Sequence, residues 1–160
     1  MVKIALLILG FLFSGVATVG QTKSFQAPHK AIRALIIPAG AQGYENYESR
    51  IEIRSSAGTL LRRLNLASTD HLHGEGVGHA EWTANGRFFV FTTNSSGGHQ
   101  PWHVATYVYS VARNRFYSVD AAVGPIVSDF TLRGDVLVAT RMGATIDDPK
   151  PVALSLKRWR

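Results

Sequence analysis

The chain has 160 residues and carries seventeen lysines and arginines against eleven aspartates and glutamates, a formal charge of +6. It contains no cysteine, which excludes disulfides, a thiolate metal centre and a lipid-modified cysteine anchor. Twelve of the cations are arginine, but they are scattered, apart from Arg62-Arg63 and Lys157-Arg158-Trp159-Arg160. Several alternate with apolar residues as solvent-facing strand positions do, so the charge reads first as a solvated surface.

The first twenty residues have the three-part grammar of a secretory signal peptide. Lys3 precedes an unbroken apolar run from Ile4 to Phe13, and the small residues Ser14, Gly15, Ala17 and Gly20 come after it. The run falls short of the ~20 apolar residues that a spanning helix needs. Residues 1–20 are therefore expected to be a signal cleaved after Ala17 or Gly20, leaving a secreted or periplasmic domain over 21–160 with no stable transmembrane segment. A domain of that length can bury its own core. Export also separates it from most nucleic acid.

Strand patterns dominate the rest of the chain. Ile32 to Ile37, Ser49 to Arg54 and Gly58 to Asn65 read as three strands. In the second, Arg50-Ile51-Glu52-Ile53-Arg54 alternates with period two and leads into the turn Ser55-Ser56-Ala57-Gly58. From Gly78 to Asp120 a four-stranded unit is expected. Its first hairpin is closed by Asn85-Gly86, which supplies the positive φ angles of a two-residue turn. Its second joins Thr106–Val111 to Phe116–Val119, rich in Tyr, Val and Phe. The run Phe88-Phe89-Val90-Phe91 has no polar face, which predicts a strand covered on both sides and hence layered sheets. Ser128 to Leu156 gives three more strands.

Residues 81–91 echo residues 129–139 without gaps, at an offset of 48 residues taken from Gly86 to Gly134. An acidic residue, an aromatic, a threonine, a glycine and an apolar strand recur in place. Such a period fits four-stranded propeller blades of about 40–50 residues. Trp82-Thr83-Ala84-Asn85-Gly86-Arg87-Phe88-Phe89-Val90-Phe91 resembles the W-S-P-D-G-x-x-[IL]-[AV]-F core of TolB-like and WD40-like β-propeller repeats, with Ala84 for Pro and Asn85 for Asp. The resemblance covers about one and a half repeats and implies a blade-like fold, often periplasmic. It assigns no binding residues, since no matching motif is present. The expected fold is all-β and antiparallel, a partial propeller-like stack of about three hairpin units, with a β-sandwich as the alternative. Ten strands are too few to close a ring, so two copies completing one ring is a further arrangement.

Two stretches carry candidate chemistry. Five histidines fall within 33 positions, and His71, His73 and His79 stand among Asp70, Glu75 and Glu81. Imidazole and carboxylate suit zinc or copper, although the spacing matches no named metal motif and a polar connection would look the same. The loop Asn94 to His103 places Trp102 between His99 and His103, a stacking face beside polar groups such as carbohydrate or peptide recognition uses. There is no nucleophile elbow, H-E-x-x-H or phosphate loop. The leading reading is an exported, non-enzymatic β-rich binding or scaffold protein, needing no cofactor, whose partner is a protein or a carbohydrate. His99, Trp102 and His103 form its contact surface. The competing reading is a metal-dependent enzyme or metal-binding protein that uses His71, His73, His79, His99 and His103.

Overall fold

The computed structural model describes residues 21–28, 32–39, 48–98, 100 and 102–160. The expected signal and His99 lie outside the described residues. Eleven strands form three antiparallel sheets. The first has the order β1 (Lys23–Gln26), β2 (Ile32–Pro38), β3 (Ser49–Ser55), β4 (Leu60–Asn65). The second has β5 (Glu75–Trp82), β6 (Phe88–Ser95), β7 (Ala105–Ser110), β8 (Arg115–Ser118). The third has β11 (Pro149–Ser155), β10 (Val136–Met142), β9 (Thr131–Arg133), with one helical turn, α1 (Asp120–Val123), before it. The fold is all-β, as its periodicities predict. Among the described residues the sheets stay open and close no barrel or ring.

The position of β6 in the middle follows from its sequence. Successive strand residues point to opposite faces, and both faces of Phe88–Phe91 are apolar. Phe89 and Phe91 pack with Ala34, Ile36, Ile51 and Ile53 of the first sheet. Phe88 and Val90 pack with Phe130, Leu137 and Leu154 of the third. All four residues are buried, so the second sheet is a filling between two cores. This makes three layers, in place of the two of a sandwich. Trp82 joins the first core edgewise and its indole N–H donates to the Phe25 carbonyl at 2.9 Å, fastening β1 across the layer.

Two local readings differ. The short strand β1 has only four residues and no clear alternation, which is why the sequence conceals it; eleven strands form where ten are expected. The connection at Asn85-Gly86 is also wider than two residues. Thr83 N–H donates to the Phe88 carbonyl at 2.9 Å, leaving Ala84 to Arg87 as the loop. Asn85 acts there through its side chain: Oδ1 accepts from the Thr83 hydroxyl and the Arg87 N–H, and Nδ2 donates to Asp135 Oδ1 at 2.6 Å. The two-residue connection lies at Gly134-Asp135, between the paired Arg133 and Val136.

Gly86 and Gly134 both adopt left-handed backbone, with φ of 63° and 61°. A β-branched side chain is strained there by roughly 1–3 kcal/mol. Gly86→Val and Gly134→Val should each lower stability by more than about 1 kcal/mol in urea or thermal melts, and unchanged melts for both would show that neither turn depends on its glycine.

Candidate functional site

One set of polar groups gathers at the loops running into β5 and β7. The residues before β7 are fixed by backbone bonds: His103 N–H donates to the Gln100 carbonyl at 2.9 Å and Val104 N–H to the Ile126 carbonyl at 2.9 Å. Asp120, the first residue of α1, gathers the rest. Its Oδ2 accepts from Thr106 N–H at 2.9 Å, and its Oδ1 accepts from Ile126 N–H at 3.0 Å and meets His103 Nε2 at 2.7 Å. A neutral imidazole bound in this way donates through Nε2 and keeps Nδ1 as an acceptor. Trp102 is half-buried, its ring 5.6 Å from that of His103 and tilted by 38°.

His103 lines a polar cleft of about 190 Å³ together with Glu75, Thr93, Ser95, Gln100 and Ala105. Glu75 Oε2 accepts from the Thr93 hydroxyl at 2.7 Å, which fixes the carboxylate at the base of β5. Beyond Glu75 a second cleft of about 290 Å³ runs past Tyr107, Asn65, Ser68 and His73. Glu75 is thus a wall common to both clefts. Burial, and then the nearby carboxylates of Glu75 and Asp120, push the Tyr107 phenol above its usual range, so it stays protonated and able to donate. The two clefts offer the Glu75 carboxylate as acceptor, the Tyr107 phenol as donor, the His103 imidazole and the side-chain amides of Gln100 and Asn65, with the Trp102 ring beside that of His103. Ser95 shares the cleft with His103, and no hydrogen bond joins them among the described residues.

The other described histidines, His71, His73 and His79, are not brought together. His79 lies on β5 with its ring stacked on Phe130 at 4.6 Å and 6°, between the second and third sheets. His73 Nδ1 meets the exposed Asp70 Oδ2 at 2.6 Å. His71, in left-handed backbone with φ 57°, places Nδ1 3.4 Å from Glu48 Oε2. Among the described residues no three histidine, aspartate or glutamate side chains gather to hold a metal ion. Sequence reading missed Asp120 and Tyr107 altogether, because neither stands in a motif and both act through folding. It noted Glu75 only as a companion of the histidines.

The wall of the second cleft rests on Glu48, which is 2% exposed. Its carboxylate accepts from Gly74 N–H at 2.6 Å, Ser68 N–H at 3.1 Å, and the Ser68 and Ser96 hydroxyls at 2.8 and 3.0 Å. The approach is so close that a Cβ on Gly74 would stand 2.6 Å from Glu48 Cδ and from the Leu66 carbonyl. Burial pushes the Glu48 carboxyl up, but the bonds from Gly74, Ser68 and Ser96 together outweigh it and hold it below its ordinary 4.5. A carboxyl depressed on folding contributes stability that is fully present above its unfolded value and is lost as pH falls through the folded one. Stability should therefore fall on acidification below about pH 4.5. Glu48→Gln should cost about 2 kcal/mol at neutral pH and flatten part of that acid limb in urea melts run from pH 7 to pH 3; an unchanged limb would remove Glu48 as its source.

No protein-family model, no curated protein and no solved structure matches the chain. No helix among the described residues is long and apolar enough to cross a membrane.

Proposed function

We propose that the chain is an exported, non-enzymatic β-rich binding protein whose two clefts, from Trp102 and His103 past Glu75 to Tyr107, take a hydroxyl-rich ligand of the carbohydrate type. The observation that carries the reading is the pre-set polarity of the cleft. His103 is clamped by Asp120 at 2.7 Å and Glu75 by Thr93 at 2.7 Å, so acceptors are already oriented before a ligand arrives. Such pre-organisation reduces the ordering cost of binding. Hydroxyls, which both donate and accept, suit a site that mixes carboxylate, imidazole, phenol and amide. The half-buried Trp102 adds a ring at the rim, and loops on a rigid sheet scaffold are common places for recognition.

The same reading takes the three sheets as successive blade-like units of the TolB-like or WD40-like kind. The ungapped echo of residues 81–91 in 129–139 and the face-to-face packing of the three sheets support it, although the two glycine turns differ in length. Cleavage after Ala17 or Gly20 then leaves a mature chain beginning near Thr18 or Gln21, checked by amino-terminal sequencing of the exported material.

The binding test uses a printed panel of neutral and acidic glycans probed with the purified protein. At least one glycan should be retained, and Trp102→Ala and His103→Ala should each weaken it by about tenfold or more. Trp102→Ala should lose an intermediate ~1–2 kcal/mol of stability, above a surface substitution and below a core tryptophan. If alanine unfolds the domain and Trp102→Phe restores it without affecting any binding, the ring is core filling and the recognition site lies elsewhere.

A further inference from the structure

We propose that the open edge of β4 is a docking site for an extended acidic segment of another protein, which adds to the first sheet as a fifth strand. Three open sheets have six edges, and an edge strand exposes backbone groups that proteins normally blunt. Five of the six are blunted here. β1 and β8 have four residues each and β9 has three. β11 carries Pro149 and Pro151, which cannot donate to a new strand. β5 is broken by a register shift between Val77 and Ala80, as a bulge that turns an edge aside.

β4 is interrupted by a register shift of its own at Leu61, but from Arg62 to Asn65 it pairs regularly with β3 and the ladder continues through the Leu66 bond to Ser49, a longer unbroken edge than β1, β8 or β9 offers. It is six residues long and five of them are exposed, with Leu60 and Leu61 at 40% and 38%. Its backbone phase follows from Leu66 N–H donating to the Ser49 carbonyl at 3.0 Å. Hydrogen-bonded pairs alternate along an antiparallel ladder, so with Ile51 opposite Leu64 and Ile53 opposite Arg62, Leu64 and Arg62 bond inward. The N–H and C=O groups of Arg63 and Asn65 face out. The outward carbonyl of Leu61 is already capped by Asn114 Nδ2 at 3.2 Å, which marks where an added strand must end. No other bond to the outward groups exists among the described residues.

Charge selects the occupant. On the outer face, Arg50, Arg54 and Arg63 all lie within 3.2 Å of the single carboxylate of Glu52, and Arg33 is the cross-strand neighbour of Arg54. Three guanidiniums thus share one carboxylate with a fourth beside them; Arg33 Nε is buried without a hydrogen bond, and Arg50 Nε meets Glu52 Oε1 as an ion pair at 3.2 Å without hydrogen-bond geometry. Arg62 adds a cation on the opposite face. A second copy of this chain fits poorly, because either antiparallel pairing of two β4 edges sets Arg63 opposite or diagonal to its own copy, and like charges in those places repel. An acidic strand places carboxylates there instead, with the backbone supplying affinity.

The probe is a blocked, fluorescently labelled eight-residue peptide of alternating Glu and Val, with a Lys/Val peptide and a Glu/Val peptide N-methylated at alternate residues as controls. The Glu/Val peptide should bind at low salt, weaken as salt rises, and slow amide exchange at Arg63 and Asn65. Arg63→Glu should weaken it about tenfold or more. Because Arg63 also bonds Glu52 at 2.9 Å, Arg62→Glu is the second variant: it leaves that network intact and faces the peptide's valines, and should weaken binding by a smaller, salt-screened factor. Equal binding of the Lys/Val peptide, undiminished binding of the N-methylated peptide, or no Glu/Val binding overturns the proposal. So does a peptide-free dimer in sedimentation whose Arg63 and Asn65 amides are protected, since the occupant would then be a second copy.

Discussion

The structure depends on one strand that cannot tolerate water on either side. Phe88, Phe89, Val90 and Phe91 send two side chains to each face of β6, and each face alone would bury only half of them. A second sheet on one side and a third on the other are the solution that leaves none exposed. Truncating any of these rings would leave a cavity of the kind that costs about 3–5 kcal/mol, because both cores pack at interior density around them. The three-layer order, with the central sheet in the middle of the sequence as well as of the fold, follows from this constraint.

Covering β6 on both faces keeps polar groups out of the two cores, and three carboxylates organise them, Glu48 and Asp120 at strand ends and Glu52 midway along β3. Glu48, Glu52 and Asp120 each collect several donors. An unpaired charge at such positions would be strongly unfavourable, whereas one saturated with hydrogen bonds is tolerated. The three differ in what saturates them. Glu48 and Asp120 take backbone N–H groups, and so determine where loops run. Glu52 takes guanidiniums, and so determines where charge accumulates. The clefts lie beside the two loop organisers and the basic face around the third.

Much of the fold was legible because its signals are local. The period-two pattern of Arg50–Arg54, the turn at Gly58 and the two-faced run at Phe88–Phe91 each specify one element, and together they imply layered sheets. β1 was not legible, since Lys23-Ser24-Phe25-Gln26 becomes a strand only by pairing with β2 and being tied to Trp82. The Asn85-Gly86 dipeptide misled on loop length for a related reason. Its asparagine is engaged by Asp135, fifty residues away, and no local rule carries that bond. The site was legible in part. Trp102 and His103 stood out by type and position, whereas Asp120 and Tyr107 are ordinary residues in sequence that gain their place from the closing of β7 and α1. The histidine cluster is the converse case: close in sequence, His79 is drawn into stacking on Phe130 while His71 and His73 turn to Glu48 and Asp70.

The division between clefts and edge has a physical basis in what each sheet must do. The second sheet is held on both faces, so its loops are rigidly seated, and a pre-set polar site needs that rigidity. Among the described residues the first sheet is packed on one face only. Its outer face meets solvent and can concentrate like charges that a core would reject, with Glu52 offsetting just enough repulsion to let Arg50, Arg54 and Arg63 stand together. A layer covered once has one free face and a free edge, and charge placed there acts on partners without disturbing the core behind it. The same burial pattern that forces the layers therefore decides which polar chemistry is fixed inward and which is presented outward.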